Sequence, residues 1–196
     1  MFVRLPANTL FSSVKCSRPR LLPRLPHPAC LRLLPFVGYP PPLDHLKINF
    51  DAAVQDSGCS SGLVVRGSYG HVLLAVGVQH QGISDPYIAE LLAAREAISL
   101  ATSRSLARVI FEGDAEVVIR ELKLGVVEDS SGGPLLRDCR FLLQSFPHCI
   151  DCRAVPRTAN WAAHRVARKA LLLPRLELAS FDFVGWLASG IGRDCG

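Results

Sequence analysis

The sequence predicts an α/β fold of the α+β kind, with element order βββαβα(α)βα, and three features predict it. Residues 46–53, Leu-Lys-Ile-Asn-Phe-Asp-Ala-Ala, alternate apolar and polar side chains with the period of two expected of a strand with one face on a core. At Ser84-Asp85-Pro86 the period changes to that of a helix. A second short apolar run at 108–111 ends, like the first, in carboxylates and leads at once into another helix.

Residues 1–43 contain Pro at 6, 19, 23, 26, 28, 35, 40, 41 and 42, with six Lys or Arg and no Asp or Glu. So much proline excludes a long helix or a central strand, and this leader is expected to be disordered. Its arginines and lack of acids match an organelle transit peptide, although serine is sparse and proline too frequent for an amphipathic helix of any length; the alternative is a linker or a fragment of a larger reading frame. The expected location is intracellular: the nucleus, or a mitochondrion or chloroplast if the leader is a transit peptide. Seven cysteines, odd in number and irregular in spacing, point to reduced thiols and so to the same compartments.

A domain is expected at 44–173 and a tail at 174–196. The net charge of +5 belongs to the leader, because residues 44–196 carry 16 basic against 17 acidic side chains. Attraction to a polyanion is therefore not a property of the domain as a whole. At 49% hydrophobic residues the composition is that of a globular protein. No apolar run approaches the roughly 18–20 residues of a membrane span, and no membrane partner is expected.

Within the domain, Asp51 closes the first strand on the face opposite Leu46, Ile48 and Phe50, beside two alanines that leave room next to it. By residue type alone it either starts a turn or begins a metal site. Residues 55–61 read as a polar turn, 62–66 as a second strand, Gly67-Ser68-Tyr69-Gly70 as a hairpin turn and 71–78 as a third strand, together an antiparallel meander. Ser84 or Asp85 caps the first helix, with Pro86 in its first turn, where the missing N–H is harmless. Ile88, Ala89, Leu92, Ala93, Glu96, Ala97 and Leu100 recur at helical spacing, and the alanines allow close packing on a sheet. Glu90 lies off that stripe and, taken singly, is a solvated carboxylate near the positive end of the helix.

The strand at 108–111 runs into Glu112-Gly113-Asp114, followed by a helix at 115–124 that Gly125 stops. A polar stretch at 128–133 precedes a helix at 134–145 and a strand at 149–155. The last helix, 159–173 with Thr158 as its cap, puts Asn160 and His164 four apart on one face. Cys149 and Cys152 form a Cys-x-x-Cys beside His148, but residues three apart on a strand face opposite sides and no second ligand pair exists, so zinc is not expected. The glycines at 58 and 62 do not form a phosphate loop, since no Gly-Lys-Ser/Thr follows. Trp161 either stacks on a base or packs against the tail, and its alanine neighbours favour packing. The tail, with Phe181, Phe183 and Trp186, is expected to fold back as a loose cover or to stay disordered.

Four motifs now lie in order: Asn49-Phe50-Asp51-Ala52-Ala53, Ala89-Glu90, Glu112-Gly113-Asp114, and Val155-Pro156-Arg157-Thr158-Ala159-Asn160-Trp161-Ala162-Ala163-His164. On these the chain from 46 to 173 resembles the ribonuclease H type 1 domain, particularly the reverse-transcriptase-like, retrotransposon-derived version frequent in plant genomes. The resemblance implies an RNase H-like mixed five-stranded sheet flanked by helices, with the first strand central and its antiparallel partners on one side. It also implies that Asp51 and Asp114 end adjacent strands while Glu90 reaches in from the first helix. These three would be the metal ligands, holding two Mg²⁺ ions with a fourth catalytic residue, and the activity would be hydrolysis of the RNA strand of an RNA–DNA hybrid by a monomer. The physics agrees: carboxylates about 4 Å apart repel by about 4 kcal/mol per pair at an effective dielectric of 20, so such a cluster calls for a divalent cation.

Two departures accompany the resemblance. The fourth position, usually an acid four residues after the Asn, is His164. A neutral imidazole there lowers the charge of the site and offers nitrogen to an ion that prefers oxygen, which implies a weaker second metal and Mn²⁺ preferred to Mg²⁺. His164 as a mere polar neighbour of the site stands as the alternative. The basic, aromatic-rich extension of cellular enzymes is also missing, since residues 126–133 hold two acids and no base. Nucleic-acid contacts are then expected from Arg157, Asn160 and Arg165, with Arg168 and Lys169 nearby. A second function class follows from both departures: a catalytically weak or inactive, retroelement-derived nucleic-acid-binding module.

Overall fold

The structure, a computed structural model, describes residues 38–125, 131–146, 151–173 and 175–179. The expectations for most of the leader, for His148 and Cys149, and for Phe181, Phe183 and Trp186 lie outside the described residues. One mixed sheet of order β5-β4-β1-β2-β3-β6 is formed by β1 (Leu46–Gln55), β2 (Gly58–Arg66), β3 (Val72–Gln81), β4 (Val109–Gly113), β5 (Asp151–Ala154) and β6 (Arg175–Ala179). β1 is central, antiparallel to β2 and parallel to β4, as the resemblance implies. The strand count is corrected from five to six: residues 175–179, which the sequence pattern puts in the tail, pair antiparallel with β3.

The first turn is also shorter than expected. Pairing between β1 and β2 runs from Lys47↔Arg66 to Gln55↔Gly58, leaving only Asp56 and Ser57 in the loop, so Asp51 lies inside β1 and not at its end. Residues 58–61 read as a turn because they are small and polar; they are strand because Cys59, Ser60 and Ser61 are buried against neighbours on both sides.

Helix α1 (Pro86–Ser103) starts as its sequence predicts, with the Asp85 carboxylate accepting from the Ile88 N–H at 3.0 Å. Its buried residues are Ala89, Leu91, Ala93, Ala94, Ala97, Ile98 and Ala101, a wider face than the expected stripe, because α2 (Glu116–Leu124) and α3 (Gly133–Leu143) also lie against it. α2 ends where Gly125 takes φ +72°, a left-handed stop that glycine adopts without strain. These three helices cover the face of Ile48 and Phe50, forming the main core with Leu63, Val76, Phe111 and Leu136.

The other face is covered by α4 (Arg157–Ala170), which begins after Pro156 with no side-chain cap, so Thr158 is not its cap and it ends three residues before the expected 173. Ala162, Ala163 and Val166 pack on Val64, Val72 and Ala75, with Trp161, Leu176 and Leu178 at the margin. Trp161 is therefore a packing residue at the margin of this cluster. The contact with β2 is close enough that a Cβ on Gly62 would stand 2.3 Å from both the Ala163 carbonyl oxygen and the Ala167 nitrogen. Gly62→Ala must push the helix backbone away, and we expect a loss of about 2–3 kcal/mol in urea unfolding as α4 shifts. Wild-type stability in this variant would mean that α4 sits further from β2. Among the described residues no helix is long and apolar enough to cross a membrane.

Candidate metal centre

The topology collects the acids before any side chain is considered. β4 and β5 run parallel to β1, and β3 does so too because two antiparallel steps separate them. Four strands thus deliver their carboxyl ends to one edge of the sheet, where crevices form in open α/β folds. Asp51 lies two residues past Asn49↔Glu112, the last described pair between β1 and β4. Asp114 follows Gly113, the final residue of β4. Glu90 projects from the second turn of α1, which starts after β3, and α4 starts there after β5.

One carboxylate oxygen from each of Asp51, Glu90 and Asp114 lies within 4.8 Å of the other two. Asp51 is 1% exposed. Its carboxyl is raised to about 9, first by burial, then by its hydrogen bond to the Asp114 carboxyl and by the charge of Asp114, with Arg157 pulling the other way. Glu90 is raised to about 8 by burial and by the charges of Asp51 and Asp114. Glu90 is thus not the solvated helix carboxylate that its sequence position suggests.

The residues fit a divalent cation, and a single polar atom tests it. Glu90 Oε2 is buried and has no hydrogen-bond partner. Such an oxygen is expensive to bury unless something binds it. Three hard oxygen donors converging at this spacing are what Mg²⁺ or Mn²⁺ accept. The apolar stripe of α1 does not mark Glu90 for this; the Ala89-Glu90 motif on which the resemblance rests does.

α4 braces the cluster. Asn160 Nδ2 donates to Asp114 Oδ1 at 2.9 Å and to the Phe50 carbonyl at 2.8 Å, tying the end of β4 to β1. Asn160 is 1% exposed, and its amide nitrogen faces Asp114 and the Phe50 carbonyl. His164 Nδ1 lies 2.7 Å from Asp51 Oδ2. Its pKa is lowered, first by burial and then by Arg157 and Arg168, so the imidazole is neutral at neutral pH. Arg157 Nη2 stands 3.3 Å from the imidazole, and Arg157 Nη1 is 3.9 Å from Asp114 Oδ2. Arg165 lies over the Trp161 ring at 6.0 Å.

A buried polar layer continues beneath the site, and the sequence reading missed it. Lys47 and Glu112 pair at 3.0 Å, Asn49 donates to Glu112 at 3.1 Å, and Arg66 donates to Asn49 at 3.1 Å. Lys47 and Asn49 alternate with apolar residues like any solvent face. The signal that could have found the layer is the Ala-rich face of α4, which needs a second sheet face to cover.

Residues 49–170 match the reverse transcriptase-like family. No curated protein sequence matches the chain. Among solved structures the fold is similar to RNase H1 from the halophilic archaeon Halobacterium salinarum NRC-1, at 23% identity over 65% of this chain and 97% of that one, with a TM-score of 0.58. It is similar to the N-terminal RNase H domain of a Mycobacterium tuberculosis protein, at 19% identity over 66% and 95%, with a TM-score of 0.59. A third is LC11-RNase H1 in complex with an RNA/DNA hybrid, at 16% identity over 64% and 96%, with a TM-score of 0.57.

Proposed function

Because the chain belongs to the reverse transcriptase-like family of RNase H-like proteins, we propose that it is a metal-dependent ribonuclease that hydrolyses the RNA strand of RNA–DNA hybrids. The observation that carries the reading is the convergence of Asp51, Glu90 and Asp114 around the unpartnered Glu90 Oε2. Those three carboxylates would hold the metal. Bound divalent ions supply activation of the attacking water and neutralisation of charge at the scissile phosphate. Asn160 holds Asp114 against β1, and His164 holds the Oδ2 side of Asp51. Arg157 offers a guanidinium at the mouth, suited to a phosphate oxygen. The hybrid bound by LC11-RNase H1 supports the substrate class by analogy of fold.

A second reading rests on the pairing of His164 with Asp51. An Asp51 carboxyl engaged by imidazole, beside an arginine 3.9 Å from Asp114, is partly compensated by the chain's own groups. That suits a binding module with little or no catalysis. Cleavage of a labelled RNA–DNA hybrid separates the two, in Mg²⁺ and then Mn²⁺, beside Asp114→Asn. We expect metal-dependent cutting of the RNA strand, faster in Mn²⁺, and at least about 10³-fold slower in Asp114→Asn, about 4 kcal/mol of barrier. A folded chain that cuts in neither metal selects the binding module.

A further inference from the structure

The charge of the domain is not spread evenly over its helices. α1, α2 and α3 each contain both signs, whereas α4 carries Arg157, Arg165, Arg168 and Lys169 and no acid. Outside α4, residues 44–196 hold 12 basic against 17 acidic side chains, so α4 is a basic ridge on an acidic body. Helical geometry aligns the four. At 100° per residue Arg157, Arg168, Arg165 and Lys169 fall within an arc of about 120°, opposite the buried Asn160, Ala162, Ala163, Val166, Ala167 and Ala170.

The ridge has a defined start and a defined length. Arg157 begins it 3.9 Å from Asp114, and the exposed Arg168 and Lys169 end it. At 1.5 Å per residue that is ~18 Å, the span of about five nucleotide steps at 3.4 Å each along one strand. In its middle Arg165 lies over the Trp161 ring, and Trp161 is itself packed at the margin of the cluster between α4 and the sheet, so this guanidinium is carried on a fixed platform. A like-charged row that long is unfavourable by itself and is matched by a polyanion of similar linear charge.

We propose that the outer face of α4 is a phosphate track that takes a nucleic-acid strand from the acid cluster out along the helix. The track rests on the ribonuclease reading for its occupant, and it supplies the backbone contacts that the missing basic extension would otherwise provide. Arg165, Arg168 and Lys169 contact phosphates and not bases, so binding along the track is independent of sequence.

The test is binding of a labelled RNA–DNA hybrid to the full chain carrying Asp114→Asn, without divalent metal, from 50 to 200 mM salt. Hydrolysis plays no part in this measurement, so failure of the hydrolysis reading leaves its outcome intact. Each phosphate-binding side chain removed should flatten the slope of log affinity against log salt by about 0.9. Arg165→Gln with Arg168→Gln and Lys169→Gln should flatten it by about 2.7, so that affinity falls about 40-fold less than the parent's over this range. Arg168→Gln with Lys169→Gln keeps Arg165 on Trp161 and should flatten it by about 1.8. The control, Arg108→Gln with Arg120→Gln and Lys123→Gln, removes equal charge elsewhere and should change it by less than about 1. An unchanged slope in the folded double variant, or an equal change in the control, overturns the proposal. So does tighter binding of the parent to anionic lipid vesicles than to the hybrid at the same salt, lost in the same variants.

Discussion

Asp51→Asn is expected to abolish hybrid cleavage and, in the absence of metal, to make the protein more stable. The amide keeps the shape of the carboxyl but removes one of the three anions proposed to hold the metal, which should lower kcat at least about 10³-fold. The stability effect has the opposite sign. Asp51 has a folded pKa of about 9 against an ordinary 3.8, and Glu90 about 8 against 4.5. Between those values the folded chain keeps protons that the unfolded chain has released. The contribution of these two groups to metal-free stability is therefore greatest below the ordinary carboxylate range and falls as pH rises through 8 to 9, by up to about 1.4 kcal/mol per pH unit for each proton retained. Thermal unfolding in EDTA from pH 5 to 8 should show a falling midpoint for the parent and a shallower fall for Asp51→Asn. Added Mn²⁺ should raise the parent midpoint at pH 8 and leave the variant nearly unmoved, since only a chain that binds the ion gains from it. A parent midpoint that rises between pH 5 and 8 in EDTA would remove the crowded acids as the cause.

Glu112→Gln should be the most destabilising single change in the layer beneath the site. Lys47 is 2% exposed, Arg66 1% and Glu112 7%, so two buried cations share one buried anion. Burial brings Arg66 down to about 10, with Glu112 holding it up, and it remains charged at neutral pH. Lys47 also donates to the Tyr39 carbonyl, which does not replace a counter-charge. Removing the only anion of the group leaves both cations uncompensated, at a cost of about 3–5 kcal/mol in urea unfolding. Adding Lys47→Met to Glu112→Gln should recover part of the loss, because one stranded cation goes with it. A loss below about 1 kcal/mol would mean that water reaches the layer and screens it.

Much of this arrangement was legible in the chain. The alternation in β1, the Asp85-Pro86 start of α1, the Gly125 stop of α2 and the strand-then-acid unit at β4 are local signals, each readable within a few residues. Asp51 and Asp114 could each be nominated because a carboxylate follows a short apolar run in both places, and the resemblance put their strands side by side. Where local signals give out, the pattern misleads. Small polar residues at 58–61 look the same in a turn and in a buried strand, and what makes them strand is the pairing of Cys59 with both Val54 and His80. β6 has no strong pattern of its own and exists because the edge of β3 and the margin of α4 offer Leu176 and Leu178 somewhere to pack.

The sequence by itself therefore determined the element order from β1 to α4, because periodicity acts over distances that a few residues span, and its short motifs carried the resemblance that brought in the three acids. Only the tertiary structure decided that Glu90 faces its fellow carboxylates and not solvent, that Asn160 holds Asp114, that His164 engages Asp51, and that Lys47 and Arg66 lie buried beside one Glu112. Those outcomes depend on which face of the sheet α4 covers and how closely Gly62 lets it approach. Burial and charge at a site are set by such long-range contacts, to which no window of neighbouring residues is sensitive.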